Sequence, residues 1–250
     1  MTNARAARTT REKAAELRAE AARREARRRT ILIITSVVAA LVVLVGAGIV
    51  VQMARQESVK AAGTTPPANL RNGAFVVGKD TAPVTLTVYS DYLCPYCKVQ
   101  HEANKAQTEA WVAEGKVRVE YRTVAFLDQA SADEYSSRAL NAAAAVLNTA
   151  PEAFPAFHDA LFAEQPAEGG PGLSDDRLVE LAVTAGAPKD PIRQAVSKRS
   201  YWGWTASVTE QASKDGVSGT PTVKVNGTMV QNPTDAAELK KAVEKALGKG

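Results

Sequence analysis

Cysteine is all but absent from this chain: of 250 residues only Cys94 and Cys97 carry a thiol, three positions apart in "SDYLCPYCKVQH". Histidine is as scarce, with His101 and His158 lying 57 positions apart. Tetrahedral structural zinc needs four ligands, so this inventory argues against a zinc site. An inert Cys94–Cys97 bridge is a poor use of the pair as well, because closing so short a loop removes little entropy from the unfolded chain. Internal repeats are missing too. At 45% hydrophobic and 23% charged residues, the composition excludes a mainly disordered chain and suits one globular domain with an additional part.

Charge is missing altogether from Ile31 to Met53, "ILIITSVVAALVVLVGAGIVVQM". As a helix these 23 residues would reach about 35 Å, against a hydrocarbon core of about 30 Å, so a retained transmembrane helix is expected. A cleaved signal peptide is the competing reading. Its apolar region ordinarily runs about 7–15 residues before a small-x-small site, and no clean site follows here. "RRTILI", Arg28 to Ile33, has a loose likeness to a twin-arginine export signal, but the apolar run is more hydrophobic than such signals tend to be.

Orientation follows from charge. Residues 1–30 hold ten Lys/Arg and four Asp/Glu, whereas residues 54–250 hold 21 and 23. The basic flank is expected to stay in the cytoplasm, with the larger part outside. The overall pI near 9.0 is then a topology signal and no evidence for nucleic-acid binding. The Ala/Glu/Arg-rich start reads as a solvated helix, with contact to anionic lipid headgroups as a minor addition.

Residues 54–73, small, polar and carrying a Pro-Pro pair, read as a tether. Regular patterning begins at Ala74. Val84, Leu86 and Val88 alternate with Thr85, Thr87 and Tyr89, the period-two mark of a strand. A helix is predicted from Pro95 to Glu114, stopped by Gly115, and a second strand over 117–126. These form a βαβ unit. From Ser131 to about Asp215 the chain reads as helical, with starts at Ser131, Ser174 and Asp190, where Pro191 would hold the first helical position, and a stop at Gly186. Two short strands joined by Asn226-Gly227 form a hairpin, and a helix over about Thr234–Leu247 closes the chain.

The cysteine pair falls where the first strand of the βαβ unit hands over to its helix, with Cys94 near the N-cap and Pro95 where proline is best tolerated. Unpaired N–H groups and the positive end of the helix dipole stabilise a thiolate there. Such placement lowers a cysteine pKa from about 8.5 to roughly 3.5–7.5. A thiol of low pKa is a good leaving group, so the pair can act as an oxidant. Cys97, one turn on, is expected to face inward and to resolve a mixed disulfide formed at Cys94. His158 reads as a half-buried helix residue, His101 as flanking the site, and Trp202 and Trp204 as core or groove wall.

"APVTLTVYSDYLCPYC" and "DGVSGTPTVKVNG" resemble the two signature regions of the DsbA-like thiol–disulfide oxidoreductases, and the likeness spans about residues 74–250. The resemblance implies an α/β, thioredoxin-like fold: a central mixed β-sheet flanked by helices, with an α-helical insertion at about 131–215. It implies no cofactor beyond the Cys94–Cys97 disulfide. It also implies that Pro221 is cis and, with Thr220, presents backbone groups to an extended substrate peptide, whereas the positional alternative is a turn that starts a strand. Pro95 and Tyr96 would tune the redox potential. One departure stands out: thioredoxin-fold enzymes often bury an acid six positions before the first cysteine, and Val88 stands there. Asp91 is a candidate substitute for proton transfer, its ordinary reading being a turn or capping residue.

The expectation is therefore a membrane-anchored, extracytoplasmic enzyme that oxidises cysteine pairs in exported proteins, since disulfides persist in that compartment. A membrane quinone-linked thiol oxidase would recycle it, by analogy with the family. The same chemistry run backwards gives a reductase or isomerase, although 54–73 is too short for the dimerisation domain of the family's isomerases. A non-catalytic thioredoxin-fold binding module is the alternative of another class.

Overall fold

The computed structural model of the protein describes residues 65–248, so the expected span at 31–53 and most of the tether lie outside the described residues. Among the described residues no helix is long and apolar enough to cross a membrane. Five strands form one mixed sheet: β1 (Phe75–Val77), β2 (Val84–Ser90), β3 (Val117–Thr123), β4 (Thr222–Val225) and β5 (Thr228–Met229), in the order β1-β3-β2-β4-β5. β2 and β3 run parallel, from Val84 opposite Val117 to Ser90 opposite Thr123, and every other pairing is antiparallel.

α1 (Pro95–Ala113) makes the crossover between the parallel strands. Pro95 lies at its start, and Gly115 beyond its end takes φ +70°, a conformation that costs a residue with a Cβ. The alternating β2 residues behave as their pattern demands. Val84, Leu86 and Val88 join Val117, Val119, Val223 and Val225 in one core, covered by Leu239 and Val243 of α7 (Ala236–Ala246). Each side chain buried this way contributes about 1.5–3 kcal/mol.

The helical block carries α2 (Tyr135–Thr149), α3 (Phe154–Ala163), α4 (Asp175–Thr184), α5 (Lys189–Ser197) and α6 (Trp202–Lys214). Its core is built on α2, buried from Tyr135 through Leu147, together with Phe154, Phe157, Leu161, Leu178 and Ile192. Trp204 packs on Leu140 and Ala144, whereas Trp202 lies under the Arg199 guanidinium. Cys94 and Cys97 pack into this helical core rather than into the cluster above the sheet.

Several boundaries shift from the sequence reading. β3 ends at Thr123, because the Ala125 N–H turns to the Thr209 hydroxyl and the Leu127 N–H to Asp91 instead of to a neighbouring strand. No helix starts at Ser131. Its hydroxyl accepts from the Tyr135 N–H at 2.8 Å, so it caps α2 from four residues away, across Glu134 at φ +46°. α5 starts at Lys189 after Pro188, which leaves Pro191 at the third helical position, where a missing N–H is still harmless. Asp235, not Thr234, caps α7, accepting from the Ala237 N–H at 2.8 Å. Ser174 caps α4 as expected, and Asn226 and Gly227 make the β4–β5 turn with φ +47° and +81°.

Candidate active site

The redox pair sits on a turn that Asp91 builds. Its carboxylate accepts from the Leu93 N–H at 2.9 Å, the Leu127 N–H at 2.9 Å and the Ser136 hydroxyl at 2.6 Å, joining the turn, the β3 exit and α2. The Asp91 carbonyl accepts from the Cys94 N–H at 3.1 Å. The turn delivers Cys94 to the N-cap of α1 with extended backbone, its carbonyl accepting from the Cys97 N–H at 3.0 Å.

Both cysteines are free thiols and buried, Cys94 4% and Cys97 1% exposed. The Cys94 thiol is pulled down to about 6, first by hydrogen bonding from the Cys97 thiol, then from Thr220 and the Cys97 N–H; burial and the Asp91 charge oppose this. The direction matches the expectation from the helix start, but the leading stabiliser is the partner thiol. Burial, reinforced by the neighbouring Cys94, pushes Cys97 strongly the other way. The Asp91 N–H donates to Cys97 Sγ at 3.5 Å.

Thr220 and Pro221, some 126 residues downstream, are brought against the pair. Cys94 Sγ lies 3.3 Å from the Thr220 carbonyl oxygen, and the Thr220–Pro221 peptide bond is cis. Pro95 and Tyr96 are exposed, Tyr96 at 70%. Asp91 is completely buried, and that burial lifts its carboxyl to about 6 against its hydrogen bonds. It is the turn-former of its ordinary reading and a buried acid, and its main-chain N–H is the group that reaches Cys97 Sγ.

The two histidines, far apart in sequence, meet in space with ring centroids 5.2 Å apart. His158 is buried rather than half-buried; it hydrogen-bonds the Tyr92 hydroxyl at 3.0 Å, and burial holds its pKa down to about 3. His101 pairs with Asp159 at 2.9 Å. They border a cavity of about 230 Å³ between β2, α1 and α3, whose wall includes Val88 and Ser90. Two contributors had no local signal in the sequence. Ser136 holds Asp91, and Gln165 donates from Nε2 to the carbonyls of Tyr92 at 3.0 Å and Cys94 at 2.9 Å. Both act across long stretches of chain, so only the fold reveals them.

A low-pKa thiol beside a buried partner is equipped for thiol–disulfide exchange, which places the molecule among redox proteins of thioredoxin-like α/β fold. The comparisons with known proteins agree. The thioredoxin family model matches residues 71–245. Disulfide bond formation protein D of Bacillus subtilis is 29% identical over 178 residues, covering 70% of this chain and 78% of that protein. Oxidised BdbD from Bacillus subtilis aligns with a TM-score of 0.64 at 26% identity, covering 74% of this chain and 98% of that one. Reduced DsbA from Mycobacterium tuberculosis aligns with a TM-score of 0.61 at 33% identity, covering 71% and 93%. The chain belongs to the thioredoxin family, among its DsbA-like thiol–disulfide oxidoreductases.

Proposed function

We propose that the protein is a membrane-anchored, extracytoplasmic oxidant that introduces disulfides into exported proteins through the Cys94–Cys97 pair. The observation that carries this reading is the asymmetry of the two thiols, Cys94 drawn down to about 6 and Cys97 driven up by burial. A substrate thiolate attacks Cys94 Sγ of the oxidised pair, the Cys94–Cys97 bond breaks, and Cys97 leaves and takes up a proton. A second substrate thiolate attacks the substrate sulfur of the mixed disulfide and expels Cys94 as a thiolate. Two electrons pass to the enzyme and one disulfide to the substrate. The second step is favoured because the leaving thiol has the lower pKa. In reverse, Cys97 resolves the mixed disulfide.

Asp91, whose N–H contacts Cys97 Sγ, supplies the proton that Cys97 takes up. Thr220 and Pro221 guide an extended substrate segment, since the Thr220 carbonyl lies beside Cys94 Sγ. Pro95 and Tyr96 tune the potential from the exposed face. Residues 31–53 anchor the chain, with 1–30 cytoplasmic, 54–73 as tether and 74–250 as the external domain; a membrane quinone-linked thiol oxidase restores the disulfide. The charge distribution along the sequence supports the topology, and the likeness to the disulfide bond formation protein of Bacillus subtilis supports the direction.

The test is the reduction potential of the full-length protein in detergent, by equilibration with glutathione, with Cys94→Ser as unreactive control. A value above about −180 mV supports disulfide donation, and one near about −270 mV supports a reductase. Absence of exchange overturns catalysis and leaves a binding module.

A further inference from the structure

Gln165 lies just past the end of α3 and reaches back to the redox turn. Its side-chain amide has two hydrogens, and both are engaged, one on the Tyr92 carbonyl at 3.0 Å and one on the Cys94 carbonyl at 2.9 Å. The Cys94 carbonyl also accepts from the N–H groups of Cys97 at 3.0 Å and Lys98 at 3.3 Å, so three donors converge on it. Gln165 is itself held in place. Its own N–H donates to the Phe162 carbonyl at 3.2 Å, and its neighbour Glu164 pairs with Arg177 of α4.

Two carbonyls flanking Leu93 are thus pinned by one amide from the helical insertion, while Ser136 of the same insertion holds Asp91 at the other end of the turn. Pinning them fixes the Tyr92–Leu93 and Cys94–Pro95 peptide planes, and with them the direction in which Cys94 projects its sulfur. The donors also offset negative charge on a carbonyl oxygen close to the thiolate, where an uncompensated oxygen would disfavour it. We infer that Gln165 is a positioning residue of the redox site, holding the Cys94 main chain so that its sulfur faces Cys97 and Thr220, and that the insertion thereby sets the stability of the Cys94 thiolate. Gln165 touches neither sulfur. The inference rests on the redox reading above.

The experiment compares full-length wild type with Gln165→Ala and Gln165→Met, the second preserving length without a donor. Three quantities are read: the pH midpoint of the thiolate's ultraviolet absorbance, the glutathione equilibrium constant, and the Tm of reduced and oxidised forms. One lost hydrogen bond corresponds to about a three- to tenfold change. The expected result is a thiolate midpoint raised by that factor and a pair less oxidising by a similar factor. Gln165→Glu should show a larger effect at neutral pH, relieved on acidification as the protonated carboxyl regains one donor. Variants that keep the wild-type midpoint and equilibrium constant, whatever their Tm, overturn the inference. If Gln165→Ala does not fold, Gln165→Met decides; if neither folds, a Gln165→Glu variant whose equilibrium constant follows the wild-type pH profile overturns it. Failure of the wild type to exchange with glutathione sinks the redox reading instead, and the thiolate midpoints still decide the role of Gln165.

Discussion

The Cys94 thiolate makes the stability of the reduced protein depend on pH. The thiol ionises at about 6 in the fold against 9.0 in the unfolded chain. A group whose folded pKa is depressed contributes stability that is fully present above the unfolded pKa and is lost as pH falls through the folded one. Between about pH 6 and pH 9 the reduced fold should therefore gain up to about 1.4 kcal/mol per pH unit. The gain amounts to about 1.4 kcal/mol at pH 7, approaching an upper bound of about 4 kcal/mol that solvent at the edge of the site reduces. Cys97 acts in the opposite sense. Its folded pKa is raised, so its contribution is present below 9.0 and lost above it. The two thiols together place the maximum for the reduced form near pH 9. The assay is urea unfolding of reduced wild type and reduced Cys94→Ser across this range. A stability difference between them that stays flat from about pH 6 to about pH 9 would refute the reasoning.

Asp91, with a folded pKa of about 6 against 3.8, binds its proton more tightly in the fold, so wild-type stability should fall by about 3 kcal/mol as pH rises through that window. Asp91→Asn should abolish this slope in denaturant titrations and slow proton-coupled release of Cys97 from the Cys94–Cys97 disulfide as the mixed disulfide forms; a variant retaining the slope would assign the titration to another group. Gly172 has φ +73°, and a Cβ there would lie 2.5 Å from the Tyr135 ring, so Gly172→Ala should cost at least about 1–3 kcal/mol. Thermal unfolding checks this, and an unchanged Tm would mean that the segment before α4 yields freely.

Much of the fold follows from local chemistry. Val84, Leu86 and Val88 alternate because one face of β2 is buried, and Gly115 and Ser174 mark helix ends because a positive φ and an N-cap hydroxyl are local requirements. The exit of β3 could not be read that way: Val124 to Phe126 look like strand residues, and only distant Thr209 turns the Ala125 N–H aside, with Asp91 taking the Leu127 N–H just beyond. Pro191 suggested a helix start two residues late, because the third helical position tolerates proline too. In the site, the thiols and the Gly-Thr-Pro segment announced themselves by spacing and resemblance. Ser136, Gln165 and the His101–His158 contact did not, since each is made by packing between segments with no shared motif.

The lengths of the outer strands bear on how such a protein survives its clients. An enzyme that handles incompletely folded chains meets, at every turnover, segments ready to add themselves to an open sheet edge and nucleate aggregates. Here the two edges are β1, of three residues, and β5, of two. An extended chain gains almost no backbone pairing at either rim. On the proposed reading such a chain pauses instead at the Thr220 carbonyl next to Cys94, where chemistry follows and the chain is let go.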